Sequence, residues 1–311
     1  MDDILKGTDF PWLGKKYTGK VRDVYEQEKQ LVLITTDRHS SFDRVIAHIP
    51  RKGEILNRVS AFWGEKTNDI VPNHMISMPD PNVTIAKKCK ALPVEAVVRG
   101  FLTGVTSTSI WTHYQDGKRD FGNFVLPDGM KKNQPFPKAV FTPSTKQDTH
   151  DRTLSPQEMV AEGIMEKDAL DEVEKVALAL FARGQEIAKK HGLILVDTKY
   201  EFGLDENDVL TLIDEVHTPD SSRWWYAASY DERFAKGEEP VYFDKEFLRL
   251  WFKDHCDPYN DATLPDAPAE LVAELSRRYQ TIYHEITEED IPILSGPILP
   301  RIEKNLKPFT L

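Results

Sequence analysis

The sequence predicts an α+β protein in two parts, an N-terminal antiparallel sheet in a domain of residues 1–110 and a larger region of sheet and helices over residues 111–311. Three observations predict this fold class. Residues 15–36 have the pattern of a β-hairpin. Residues 167–190 carry apolar side chains at helical spacing, and residues 193–216 form a second hairpin pattern directly after them. A ligand site is expected between the two parts, because ligands commonly bind at such junctions.

Composition excludes several classes of protein. Of the 311 residues, 40% are hydrophobic, so the chain can bury a substantial core and global disorder is not expected. The formal net charge of −11 argues against non-specific nucleic-acid binding, which needs a basic surface. No apolar run reaches the roughly 18 residues of a membrane span, and the acidic N-terminus lacks a signal peptide. With only Cys89 and Cys256 present, a reduced, cytoplasmic-type protein without nucleic-acid or membrane partners is expected.

The first hairpin carries a glycine and two cations. Residues 15–36 are predicted to form two arms around a turn at residues 26–30. In the first arm, Gly19 would let the backbone approach a phosphate, while Lys20 and Arg22 alternate onto one face. The segment is not a Walker A loop, and an ordinary surface hairpin is the better explanation of this pattern alone.

A polar loop at residues 36–43 follows, and loops after strands commonly carry function. Its Asp37, Ser40 and Ser41 are candidates for a site that binds a substrate carboxylate. The alternative is that these side chains only cap the next helix, which is predicted from residue 51 to about residue 67.

Residues 94–98 are rich in β-branched side chains and predict a buried strand. Glu95 within it needs a partner, because an unpaired buried charge is costly. Arg99 is either that partner or a donor at the end of the strand that is aimed at a phosphate or carboxylate. The bidentate guanidinium suits the second role.

The second hairpin is the most informative stretch. Its first arm places Asp197, Lys199 and Glu201 on one face, and its second arm brings Asp214 back towards Glu201. Mg²⁺ takes one or two carboxylates together with phosphate oxygens, and a nearby lysine can meet the same phosphates. Glu201 and Asp214 are therefore predicted metal ligands and Lys199 a predicted phosphate contact. Surface salt bridges on a solvated hairpin are the alternative. The two carboxylates lie directly opposite each other only if residues 207–208 form a two-residue turn.

Several segments resemble the SAICAR synthetase family. Residues 197–203 (DTKYEFG) are similar to its D-x-K-x-E-F-G signature, and residues 214–223 (DEVHTPDSSR) to its D-E-x-x-[ST]-P-D-[GS]-S-R element. Further resemblances are those of residues 19–23 (GKVRD), 36–43 (TDRHSSFD), 92–104 (LPVEAVVRGFLTG) and 142–146 (TPSTK). Val105 stands where the family often has serine, which makes Ser107 the candidate substitute.

The resemblance implies an ATP-dependent ligase of de novo purine biosynthesis. Such an enzyme joins carboxyaminoimidazole ribonucleotide (CAIR) to L-aspartate and forms SAICAR, ADP and phosphate through an acyl-phosphate, with Mg²⁺. The resemblance also implies a SAICAR synthase-like architecture whose C-terminal part is ATP-grasp-like. The implied roles are catalysis by Lys199 and Asp197; ATP binding by Gly19, Lys20, Val21, Arg22, Glu95 and Lys199; CAIR binding by Arg99, Ser107 and Arg223; metal binding by Glu201 and Asp214; and aspartate binding by Asp37, Ser40 and Ser41.

Two other functions are considered. Small-molecule kinases of the inositol-phosphate type also use a D-x-K element, so Asp197 and Lys199 alone do not decide. The segments at residues 95–99 and 214–223 favour the synthetase. A non-catalytic nucleotide-binding module would be favoured by loss of Asp214 or Lys199, and both are present.

Overall fold

The computed structural model describes residues 3–42, 44–106, 109–146, 152–243 and 246–310. Its strands are β1 (Lys15–Thr18), β2 (Arg22–Glu26), β3 (Gln30–Thr35), β4 (Arg38–Ser41), β5 (Arg44–His48), β6 (Met75–Asp80), β7 (Val83–Lys87), β8 (Lys90–Leu102), β9 (Gln134–Phe141), β10 (Ser144–Thr145), β11 (Leu193–Leu204), β12 (Leu210–Ile213) and β13 (Ser222–Tyr226). Its helices are α1 (Lys52–Lys66), α2 (Ile110–Gln115), α3 (Pro156–Ala161), α4 (Lys167–Lys190), α5 (Ala227–Lys236), α6 (Glu246–His255), α7 (Ala269–Thr287) and α8 (Ile298–Leu306). The predicted α+β class is confirmed.

A five-stranded antiparallel sheet forms the N-terminal part, in the order β1-β2-β3-β7-β6. Alternate residues of its central strands, such as Val32 and Ile34, are fully buried, as the two-residue period of a strand requires. Ile302 and Leu306 of α8 belong to the same apolar cluster. The last helix of the chain therefore completes the core of the N-terminal sheet.

A six-stranded sheet forms the second part around the antiparallel pair β8 and β11. The other neighbours of β8 are β9 and β10. The other neighbours of β11 are β13, which pairs with its first half, and β12, which pairs with its second half. The helix α4 packs on one face of this sheet, and Gly184 gives the close approach, because a Cβ there would collide with Leu195 and His217. The opposite face carries the polar residues of β8 and β11.

The structure has one more turn than the predicted first hairpin. Residues 15–25 are not one arm but two strands, β1 and β2, paired from Lys15–Glu26 to Thr18–Asp23. The turn between them closes where the Gly19 amide donates to the Arg22 carbonyl at 2.8 Å. The predicted alternation of residues 20 and 22 along one arm is therefore wrong, and Lys20 lies in a turn.

The second hairpin also differs in its turn. Leu204 pairs with Leu210, so residues 205–209 form the connection rather than a two-residue turn at 207–208. The carboxylate of Asp205 accepts from the amides of Asn207 and Val209, at 2.9 and 3.1 Å, which stabilises this longer turn. Glu201 consequently lies opposite Ile213, one residue before Asp214.

Strand pairing changes sheet between β7 and β8, at residues 88–89. This point lies upstream of residue 110, where the sequence was divided into two domains, and the division into domains stays a prediction. In the described part of the chain, every helix is too short or too polar to span a membrane.

Candidate active site

A cavity of about 650 Å³ lies between the two sheets. The β1–β2 turn and strands β2 and β3 form one wall, and β8, β11 and the end of β12 form the other. The lining residues are Tyr17, Gly19, Lys20, Val21, Arg22, Val24, Leu31, Leu33, His74, Lys87, Cys89, Glu95, Lys146, Lys199, Glu201, Ile213, Asp214 and Glu215. All the predicted ATP and metal residues are among them.

Strand alternation presents the polar side chains to this cavity. In β8, Val94, Ala96 and Val98 are buried, so that Glu95 points to the opposite, polar face. In β11, Lys199 and Glu201 take the corresponding positions and alternate with the buried Thr198, Tyr200 and Phe202. Because Glu95 pairs with Glu201 in the strand register, the two carboxylates flank Lys199.

Lys199 is the centre of this charge cluster. Its Nζ donates to Glu95 Oε1 at 2.8 Å and to Glu201 Oε1 at 2.6 Å. Burial alone would lower the pKa of Lys199, but the carboxylates of Glu201, Asp214 and Glu95 outweigh it and raise that pKa above its ordinary value. The ammonium group therefore stays charged at neutral pH and can hold a phosphate.

The carboxylate of Glu95 also accepts from Ser144 Oγ at 3.0 Å. Its ionic partner is thus Lys199, so the interpretation that Glu95 pairs with Arg99 is wrong. The reason is that residues four apart in a strand are separated by about 13 Å along its axis.

Asp214 lines the cavity, and its backbone is in the left-handed region with a φ of 64°. Its Oδ1 accepts from Arg22 of β2, and the same guanidinium lies 3.6 Å from Glu215 Oε1. Burial disfavours both charges, but the Asp214 and Glu215 carboxylates raise the pKa of Arg22, and Arg22 and Lys199 lower the pKa of Asp214. Arg22 therefore joins the N-terminal sheet to the end of β12 by charge.

Glu201 and Asp214 are the residues that could hold a metal. Among the described residues, there is no cluster of three or more His, Cys, Asp or Glu side chains arranged to bind a metal ion. Two carboxylates without further protein ligands fit Mg²⁺, which completes its shell with waters and substrate phosphates. Both are already engaged by cations, Glu201 by Lys199 and Lys146, and Asp214 by Arg22.

A row of three charges crosses the same sheet face further along β11. Asp197 is opposite Arg99 of β8 and Arg223 of β13. Its Oδ2 accepts from Arg223 and lies 3.7 Å from Arg99 Nη1, while Arg99 Nε donates to Thr142 Oγ1 at 2.9 Å. Burial lowers the pKa of Arg99, although Asp197 opposes this shift. One carboxylate thus orients two guanidinium groups.

A second cavity, of about 90 Å³, lies beside this row. It is lined by Asp197, Pro219, Asp220, Ser221, Ser222, Arg223 and Arg249. Arg249 comes from α6, and its Nε donates to Ser41 Oγ of β4 at 3.3 Å. The predicted residues Ser41 and Arg223 are therefore brought to the same region by an arginine of the C-terminal helices.

The remaining predicted residues lie elsewhere. The carboxylate of Asp37 is buried and accepts from the amides of Leu5 and Gly53, at 2.8 and 2.9 Å. Burial raises the pKa of Asp37 to about 6. Ser40 is half-buried on β4 beside Ser41. Their assignment to an aspartate site stays a prediction, and Ser107 lies outside the described residues.

The lining residues that the sequence did not predict include Lys146, Glu215, His74 and Arg249. Lys146 ends the TPSTK segment and Glu215 follows Asp214 in the DE pair, so the motifs contained both without assigning them a role. Burial lowers the pKa of His74 to about 4, so it is neutral at physiological pH. Nothing in the local sequence distinguishes Arg249 from a surface arginine on a helix.

Known proteins are similar to this chain over most of its length. Residues 15–265 match the family model described as SAICAR synthetase. The chain is 54% identical over 309 residues to the phosphoribosylaminoimidazole-succinocarboxamide synthase of Legionella pneumophila (strain Lens), covering 99% of each chain. It is 54% identical over 297 residues to the chloroplastic synthase of the same name from Arabidopsis thaliana, covering 95% of this chain and 72% of that one. A solved structure of "SAICAR-synthase from Saccharomyces cerevisiae complexed SAICAR" superposes with a TM-score of 0.79 at 31% identity, covering 92% of this chain and 99% of that one.

Proposed function

We propose a role for each part of this cleft from one premise: the chain belongs to the SAICAR synthetase family. It is an ATP-dependent ligase that joins CAIR and L-aspartate into SAICAR, with formation of ADP and phosphate, in purine biosynthesis. The proposal rests on one structural observation. A single sheet face carries the Lys199 cluster at one end and the Arg99–Asp197–Arg223 row at the other.

The larger cavity is proposed to hold ATP. Its phosphates would meet Lys199 and the turn of residues 19–22, where Gly19 and Val21 present backbone and Lys20 and Arg22 present charge. Glu95 is proposed to orient Lys199, because it accepts directly from the ammonium group. The apolar side chains Val24, Leu31 and Leu33 offer a surface for the base.

Mg²⁺ is proposed to bind at Glu201 and Asp214. The ion would neutralise charge that develops on the transferring phosphoryl group. Support comes from the donor set, since both carboxylates line the cavity beside a lysine suited to the same phosphates.

The other end of the face is proposed to hold the ribonucleotide. Arg99 and Arg223 can bind its phosphate through paired N–H donors, and Asp197 keeps both guanidinium groups facing the same region. Ser107 remains a proposed further contact. We place the carboxylates of L-aspartate near Ser41 and Arg249, at the smaller cavity, and keep Asp37 and Ser40 as further proposed contacts.

The chemistry explains why both ends are needed. A carboxylate is a poor acyl donor because its oxygens are poor leaving groups. Transfer of the γ-phosphoryl group of ATP to the CAIR carboxylate would give an acyl-phosphate and release ADP. The amine of L-aspartate then attacks the acyl carbon, orthophosphate leaves, and the amine loses a proton. The cationic groups Lys199, Lys20 and Arg22 stabilise charge during the first transfer.

The proposal also covers the two domains, the cellular location and the alternative functions. Residues 1–110 are proposed to form the domain that covers the nucleotide, and residues 111–311 an ATP-grasp-like domain. The β1–β2 turn of the first and the β11–β12 hairpin of the second face each other across the cavity, which supports this proposal. Cys89 and Cys256 are free thiols, which favours a reducing, cytoplasmic location. The family membership does not favour the kinase or the non-catalytic alternative.

The reaction is tested by incubating the protein with ATP, Mg²⁺, CAIR and L-aspartate and by following ADP, orthophosphate and SAICAR together. The three products should form in equal amounts, and omission of either CAIR or L-aspartate should stop sustained turnover. Sustained formation of ADP without L-aspartate, or a stable phosphorylated product without orthophosphate, would identify a kinase or an ATPase instead.

A further inference from the structure

Asp220 occupies a buried position in the loop that precedes Arg223. Its Oδ2 lies 2.6 Å from Lys52 Nζ, and its Oδ1 accepts from the hydroxyl of Tyr279. Its side chain is only 5% exposed, and that of Lys52 is fully buried. A buried carboxylate depends on such partners, because removing one leaves charge that neither water nor protein satisfies.

The two partners come from distant parts of the chain. Lys52 begins α1, and its Nζ also donates to the Arg38 carbonyl at 3.0 Å. Tyr279 lies in the middle of α7, beyond the residues 15–265 matched by the family model. The contact between the two helices is reinforced where Ser276 Oγ donates to the Pro50 carbonyl at 2.8 Å. Asp220 therefore joins α1 and α7 to the loop.

Hydrogen bonds within and beside the loop connect Asp220 to the strand that begins just before Arg223. The amides of Asp220 and Ser221 donate to Thr218 Oγ1 at 3.2 and 3.1 Å. The Ser221 carbonyl accepts from the Lys199 amide at 3.0 Å, and Ser222 Oγ bonds Thr198 Oγ1 at 2.7 Å. Because Asp220, Ser221 and Ser222 are each hydrogen-bonded in this loop, we expect a displacement of Asp220 to shift the start of β13.

We propose that Tyr279 and Lys52 are positioning residues for ribonucleotide binding. By holding Asp220, they fix the loop of residues 218–222 and thus the direction in which Arg223 presents its guanidinium. The C-terminal helix α7 then sets the affinity for the ribonucleotide without touching it. This inference rests on the proposed contact between Arg223 and the ribonucleotide.

Tyr279→Phe tests it, because phenylalanine keeps the packing of the ring and removes only the hydroxyl. Tyr283→Phe is the matched control. Tyr283 is a buried tyrosine one turn further along α7, and its hydroxyl donates to Glu289 at 3.3 Å, away from the loop. The dissociation constants of CAIR and of ATP with Mg²⁺ are measured by titration calorimetry for both variants, for the wild type and for Arg223→Ala, together with melting temperatures.

Tyr279→Phe should weaken CAIR binding about tenfold, the order expected for loss of one hydrogen bond to a charged group, and leave ATP binding within about twofold. Amide hydrogen exchange in residues 218–222 should become faster. Tyr283→Phe should change neither. A purely structural role for Tyr279 would lower the melting temperature and leave the ratio of the two affinities unchanged.

Two outcomes separate this inference from the proposed function. Wild-type CAIR binding by Tyr279→Phe, beside defective binding by Arg223→Ala, would overturn the positioning role alone. Wild-type CAIR binding by Arg223→Ala would overturn the assignment of Arg223, and the positioning role would fall with it.

Discussion

At the scale of single residues, three of the cations proposed to bind ligands in this cleft are paired with carboxylates. Arg22 pairs with Asp214, Lys199 with Glu201 and Glu95, and Arg223 with Asp197. Phosphates and metal ions that enter the cleft must therefore compete with ion pairs inside the protein. Partly buried pairs of this kind are screened little by solvent, so the loss of one member leaves the other charge without compensation.

Asp214→Asn should abolish Mg²⁺-dependent turnover, with kcat lowered by about two orders of magnitude or more, and leave the fold intact, because Glu215 Oε1, 3.6 Å from the Arg22 guanidinium, still compensates that charge. The amide keeps the size of the side chain but removes the charge that would bind the metal. Asp208→Asn is the control, since Asp208 is exposed in the same hairpin and has a similar left-handed φ of 59°, a conformation that asparagine tolerates. Steady-state rates over a range of Mg²⁺ concentrations provide the measurement. A wild-type rate for Asp214→Asn at limiting Mg²⁺ would remove this residue from the metal site.

Residue types in motifs could be predicted from the sequence, but their partners could not. The alternation of Lys199 and Glu201 onto one face follows from strand periodicity, and the structure places both in the cavity. The pairing of Glu95 with Lys199 depends on the register of β8 against β11, which are far apart in sequence. Arg249 of α6 reaches Ser41 of β4 across 208 residues of sequence, a tertiary contact that has no local signal.

At the scale of elements, α1 links the site to the N-terminal sheet. Gly53, in its first turn, packs so closely on β3 that a Cβ would lie well inside contact distance of the Thr35 carbonyl oxygen. The Gly53 amide donates to Asp37 at 2.9 Å, and the neighbouring Lys52 reaches Asp220. The start of α1 therefore contacts the backbone of β3 on one side and the loop of residues 218–222 on the other.

Gly53→Ala should lower the free energy of unfolding by about 2 kcal/mol, because the helix must move away from β3. Gly64→Ala, in the last turn of the same helix, is the matched control. Its added Cβ would approach only the side-chain nitrogen of Asn73, at 3.2 Å, and alanine is the better helix former. Urea denaturation of both variants measures the difference. Equal stabilities for the two variants would show that the close approach of α1 to β3 is not a constraint.

Element boundaries followed from the sequence wherever one local pattern decides them. The predicted helix at residues 51–67 corresponds to Lys52–Lys66, and the one at residues 167–190 to Lys167–Lys190. The turns were less predictable. The turn at Gly19 was missed because the flanking strands share one alternating pattern, and the turn after Leu204 because the side chain of Asp205 stabilises a longer connection.

At the scale of the whole molecule, the C-terminal helices complete structures that are formed earlier in the chain. The helix α8 supplies Ile302 and Leu306 to the core of the N-terminal sheet, and Arg301 Nε donates to Asp80 of β6 at 2.9 Å. The helix α7 reaches Asp220 through Tyr279. Their docking sites depend on contacts between residues distant in sequence, 221 residues apart for Arg301 and Asp80 and 59 for Tyr279 and Asp220, for which the chain carries no local signal.

We propose that one sheet face is divided between an end that binds ATP and an end that binds the ribonucleotide. Titration calorimetry of Arg223→Ala with CAIR, and separately with ATP and Mg²⁺, tests it most directly, with Arg277→Ala as a control because Arg277 forms only a surface ion pair on α7. Arg223→Ala should weaken CAIR binding by about 2 kcal/mol, roughly thirtyfold, and change ATP binding less than about twofold. Equal losses of both affinities, or a loss of ATP affinity alone, would contradict the division.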